Sequence, residues 1–119
     1  MRRFPPTDEL PDFVGDRISQ ICLNPHGVVF SFGEGTRINA EFGIEQIEPD
    51  GVSYAYDCAG WSGPPLVLHR LVNQSIVLFD RSDYRLLFGF DQGSSLFVLS
   101  QDGPYESGQI IIEGGTVVF

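Results

Sequence analysis

The chain contains no lysine, and its seven arginines stand against sixteen carboxylates for a formal net charge of −9. A surface this acidic repels phosphate backbones, which excludes direct nucleic-acid binding. Without lysine there is also no ammonium of the kind that phosphate-binding loops use. The imbalance is uneven: residues 1–60 carry four Arg and ten Asp/Glu, residues 61–119 three and six. Long apolar runs are missing too. None approaches the roughly 18 residues of a membrane span, so no membrane partner is expected. Met1-Arg2-Arg3-Phe4-Pro5-Pro6 has positive charge without the apolar stretch of a signal peptide, and a cytoplasmic location is expected. The only cysteines, Cys22 and Cys58, form no CxxC pair and have no histidine near them in sequence. They supply no zinc ligand set and are expected as free, buried thiols in a reducing compartment. No metal and no cofactor is expected.

What remains is ample for a core. Of 119 residues, 42% are hydrophobic and 13% aromatic, while 14 glycines and 8 prolines imply many turns. That is the composition of one folded domain, residues 1–119. Excess acid keeps such a domain soluble, and it also suits a basic protein partner.

The same pattern occurs twice at an offset of 58 residues, in units of about 8–58 and 66–119. Leu10, Phe13 and Val14 fall on Leu68, Leu71 and Val72, Gly15 on Asn73, and Ile18 on Ile76. Val28-Val29-Phe30-Ser31-Phe32 falls on Leu86-Leu87-Phe88-Gly89-Phe90, and Gly35 on Gly93. Each unit reads as a short helix, from apolar residues at i, i+3 and i+4, followed by an antiparallel meander. Thr7 is the expected cap of the first helix, which Pro11 keeps short; Pro64-Pro65 open the second. Gly15 and Asn73 are expected in the left-handed position that closes each helix. Strands are expected at Arg17–Leu23 and Ser75–Asp80, then at the two Phe-x-Phe segments, with hairpin turns at Gly33-Glu34-Gly35 and Asp91-Gln92-Gly93.

The next strands differ. Arg37–Ile44 alternates, with apolar residues at even positions, as a strand with one wet face does. Ser95-Leu96-Phe97-Val98-Leu99 is apolar on both faces, so something must cover Phe97 and Leu99: the second helix or another copy of the chain. A symmetric homodimer through the Leu86–Leu99 hairpin follows as an expectation. Later strands are expected at Val52–Cys58, Gln109–Glu113 and Thr116–Phe119. The fold class is therefore mainly β, a duplicated helix-plus-meander unit forming a barrel or a two-layer sandwich with pseudo-twofold symmetry.

Chemistry is harder to find. Gly60-Trp61-Ser62-Gly63-Pro64 ends in Pro where a nucleophile elbow needs Gly, and His26 and His69 are the only candidate bases. Asp80 and Asp83 bracket a turn, which is ordinary turn chemistry before it is a calcium site. No catalytic residue is assigned. Two loops and one strand are candidates for binding. Trp61 sits between the units, as an exposed partner anchor or as a lid over a sheet edge. Tyr105 and Glu106, in Pro104–Gly108, form a second candidate, and Tyr54 and Tyr56 share one strand face as a possible aromatic wall.

The hairpin Leu87–Leu96, followed by Tyr105-Glu106-Ser107 and preceded by the Leu68–Asn73 segment, resembles a group of small bacterial domains of unknown function. Many of these end Tyr-Glu-Ser-Trp, where this chain has Gly108. The resemblance implies no catalytic residue, and relatives of this look sometimes act as immunity proteins beside toxins. Three functions follow as expectations. The first is a non-enzymatic, homodimeric interaction domain. The others are an acidic immunity-type inhibitor of a basic toxin, and a small-ligand binder or enzyme with a pocket inside the β layers lined by Tyr54, Tyr56 and Trp61.

Overall fold

The computed structural model describes residues 3–103 and 105–119, with backbone alone at position 34. Among these residues there are ten strands: β1 Gln20–Asn24, β2 Gly27–Ser31, β3 Arg37–Ala40, β4 Gly43–Ile47, β5 Ser53–Asp57, β6 Ile76–Ser82, β7 Arg85–Phe90, β8 Ser95–Leu99, β9 Gly108–Ile112 and β10 Gly115–Val118. They form two antiparallel five-stranded sheets, in the orders β1-β2-β3-β9-β10 and β5-β4-β8-β7-β6. Each sheet is a three-strand meander from one half of the chain, completed by a hairpin from the other half.

The inward side of every strand feeds one core. Val28, Phe30, Ile38, Ala40 and Ile110 come from the first sheet, and Ile44, Leu86, Phe88, Leu96 and Val98 from the second, all essentially unexposed. Phe13 ties the layers together, with its ring centroid 5.1 Å from those of Phe32 and Phe88 and 4.9 Å from that of Phe79. Such an aromatic cluster contributes contact energy beyond its buried area.

The arrangement decides between the two expected architectures and corrects the sequence reading in two places. The sheets do not close into a barrel, because β1, β10, β5 and β6 are all free edges. The expected α-helices are absent among the described residues: Thr7–Glu9 and Leu68–Leu71 are single 3-10 turns. Leu68 and Leu71 are buried three residues apart, the 3-10 period, whereas the i+4 positions Val14 and Val72 are 51% and 37% exposed. Thr7 lies within its turn and makes no side-chain cap. Finally, Arg37–Ile44 is not one strand. It breaks at Glu41-Phe42, and β4 crosses to the other sheet.

Gly15 and Asn73 both take positive φ, at 92° and 70°. Asn73 follows the end of the Leu68–Leu71 turn, but Gly15 lies well beyond Thr7–Glu9, whose last cap is Leu10, and so does not close it as expected. An isolated antiparallel bridge joins Arg17 to Ser75, and the N–H of Ile76 donates to Asp16 O (2.8 Å) while that of Asn73 donates to Ile18 O (2.9 Å). The two segments that precede β1 and β6 thus lie against each other.

Candidate functional site

Alternation along β8 turns Leu96 and Val98 into the core and puts Ser95, Phe97 and Leu99 on the outer face of the second sheet. The register brings Phe97 opposite Glu45 and Leu87, and Leu99 opposite Gly43 and Arg85. The next row, of Ile47, Ser95, Gly89 and Leu78, adds Ile47 and Leu78. Phe97, Leu99, Leu87 and Ile47 are half-buried, and Leu78 is exposed. The Leu68–Leu71 turn does not cover them with its apolar side chains, since Leu68 and Leu71 are buried in the core.

The charges on this face are Glu45 opposite Phe97, Asp57 opposite Gly43, Asp80 opposite Leu87, and Arg85. The Arg85 guanidinium carbon stands 4.8 Å above the centre of the Phe97 ring, so the one cation caps apolar surface and its charge stays in water. Beside Leu99 the absence of a side chain at Gly43 leaves a hollow of about 460 Å3, walled by Phe42, Ala55, Asp57, Ser62 and Gly63. The outer face of the first sheet contrasts with this one. Its rows run through Ser31, Arg37 and Ile111, and through Val29, Asn39 and Gln109.

The other residues singled out from sequence are dispersed. Tyr54 and Tyr56 share the inward side of β5, with Tyr56 buried. The Tyr56 hydroxyl donates to Pro65 O (2.8 Å) and accepts from the Val67 N–H (3.3 Å), clasping the segment that follows Trp61. Burial pushes this phenol upward, against the opposing pull of the Val67 N–H. Trp61 is half-buried at φ 51°, and its indole Nε1–H donates to Asn24 O at 2.6 Å, at the end of β1. Tyr105 is 81% exposed. Glu106 accepts from Gln109 Nε2 (3.2 Å) and raises the neighbouring Glu41 carboxyl, whose burial is the larger cause. Pro104 lies outside the described residues.

Among the described residues Glu41 Oε1, Gln46 Oε1, Gln74 Oε1 and Arg81 Nε are buried without a hydrogen-bond partner, while the following groups are engaged. Gln46 is fully buried in β4, where its amide donates to Glu48 Oε1 (2.9 Å) and to Val67 O (3.2 Å). Glu48 is met in turn by Arg70 Nη1 and by the Ser94 hydroxyl, each at 3.4 Å. Asp83 pairs with Arg3 and Arg81, and Asp80 accepts from the Arg81 N–H, which leaves no open carboxylate pair at that turn. No group of three or more metal-ligating side chains occurs among the described residues.

Sequence reasoning missed one feature. An apolar cleft opens between β1 and the Leu66–Val72 segment, where Val72 was expected in a buried helical stripe and is 37% exposed instead. The stretches around it, residues 17–33 and 58–79, contain no Asp or Glu. No helix is long and apolar enough to cross a membrane, among the described residues. Comparison with known proteins finds no matching family model, no matching curated relative and no matching solved structure.

Proposed function

We propose that this chain is a non-enzymatic interaction domain that pairs with a second copy of itself through the outer face of the second sheet. One observation carries the reading: Leu87, Phe97, Leu99 and Ile47 form a contiguous apolar surface on the central strands of a sheet whose outer side no element covers. Exposed patches of that kind mark association surfaces. A twofold axis lets the ridge at Phe97 and Leu87 of one copy approach the hollow beside Gly43 of the other, which is the self-complementarity an isologous contact requires.

On this reading the chain is also a duplication with pseudo-twofold symmetry. Three features support it. The Arg17–Ser75 bridge joins positions 58 residues apart. Phe32 N–H to Thr36 O and Phe90 N–H to Ser94 O repeat the same turn bond at that offset. Gly35 and Gly93 both have positive φ there. The second unit keeps the apolar outer face that the first has replaced with Arg37 and Asn39.

The test is Phe97→Glu against Val29→Glu, the latter on the outer face of the first sheet. Sedimentation equilibrium should give a single-chain mass for the first variant and a two-chain mass for the second. Equal masses for both would reject this face as the contact.

A further inference from the structure

The cleft beside β1 measures about 330 Å3 and is lined by Ile21, Leu23, Leu66, Leu68, His69 and Val72. It sits at the lower end of the range of small-molecule sites, and His69 is its single polar wall. Its rim is apolar surface left in water, with Leu23 56% exposed.

The corresponding seam along β6 is closed by the chain itself. There Phe79 stands at the position of Ile21 and Phe13 at that of Leu71, and their rings pack with Phe88. Phe4 seals the far end. Its N–H donates to Asp83 O (2.8 Å), its carbonyl accepts from Arg81 Nη2, and its ring meets Phe119 at 4.4 Å. The β1 seam has aliphatic residues in place of those two rings, and the difference in bulk is left as open volume.

Charge selects the occupant. In a chain of net charge −9, the two stretches that build this seam hold both histidines, two arginines and no carboxylate. Arg17 lies at the Val72 end, held by Ser75 Oγ (3.2 Å) and Asn73 Oδ1 (3.4 Å), and none of the ion pairs among the described residues uses it. Of the carboxylates near this seam, Asp16 accepts from the N–H groups of Arg17 and Gly33, and Glu48 is paired with Arg70. An apolar trough with His69 in its wall, and with Arg17 held by Asn73 just past its Val72 end, suits an amphipathic molecule with an anionic head.

We infer that the cleft binds a small amphipathic carboxylate, with its hydrocarbon body between Ile21, Leu23, Leu66 and Leu68 and its carboxylate toward Arg17 and His69. The inference does not depend on self-association.

The experiment is calorimetric titration of the full chain with sodium decanoate and with 1-decanol. Ile21→Phe rebuilds the ring found in the other seam and fills the trough; Leu66→Trp fills it from the opposite wall if the first variant fails to fold. Arg17→Gln removes the cation. Saturable decanoate binding is expected, weakened at least tenfold by the filling variant. Arg17→Gln should weaken decanoate several-fold and leave decanol unchanged. Absence of saturable binding, equal binding by the filled variant, or equal loss of decanoate and decanol with Arg17→Gln would each overturn the assignment.

Discussion

Cys58 has no exposed surface, and burial, reinforced by the neighbouring Asp57, pushes its thiol up to about 11. Only a thiolate attacks a disulfide reagent, so this residue is inert near neutral pH while the chain is folded. Cys22 is half-buried on β1 and open to reagent. Thiol titration should therefore find one fast group per native chain and two in guanidinium; two fast groups in the native state would contradict the burial. Glu41 offers a test of opposite chemistry. Its Oε1 is buried without a partner, and burial and Glu106 raise its carboxyl against the weaker effect of His26. A raised folded-state value means that the proton is held more tightly when folded. Stability from this group is full below the unfolded value and lost as pH rises through the folded one. Glu41→Gln should raise the thermal midpoint at neutral pH and have much less effect near about pH 4, where the unfolded carboxyl titrates. An equal shift at both would place the cause outside the charge.

At the scale of elements, the sequence carried period but not the choice between structures sharing it. Leu68 with Leu71 is spaced for an α-helical stripe and equally for a 3-10 turn, so the error surfaces only at the fourth residue, where Val72 faces water. In the first unit Leu10 and Phe13 fall after the Thr7–Glu9 turn altogether. The break after Ala40 was invisible for a related reason. Ile38 and Ala40 point inward from one sheet and Ile44 and Gln46 from the other, and because both inner faces meet one core the even-numbered alternation runs through the crossing unchanged. Turn residues were more legible, since Gly15, Asn73, Gly35 and Gly93 all occupy the positive-φ positions their chemistry suits. The double-faced apolar strand Ser95–Leu99 was legible as well, because a central strand whose odd and even residues are both apolar needs cover on both sides. The β1 cleft was not, as it arises from the bulk missing at Ile21 and Leu71 relative to Phe79 and Phe13, a comparison that needs the two seams in space.

For the whole molecule, the exchange of hairpins has a consequence for folding. β4 and β5 complete a sheet whose other three strands lie after residue 75, and β9 and β10 complete the sheet begun by β1. Neither half can satisfy its edge strands or bury its inner face alone, since Phe30, Ile38 and Ile44 would lose the layer that covers them. Fragments 1–60 and 61–119 should each lack a cooperative thermal transition by circular dichroism, and a cooperative transition in either alone would show that the exchange is not required for stability.

The same topology leaves the second sheet's outer face open over its three central strands, which is the basis of the proposed pairing. Sedimentation equilibrium of the unaltered chain at its highest soluble concentration tests that claim most directly. The account predicts a mass twice the 13.2 kDa of one chain, lost on introducing Phe97→Glu. A mass of one chain across the whole concentration range would contradict it.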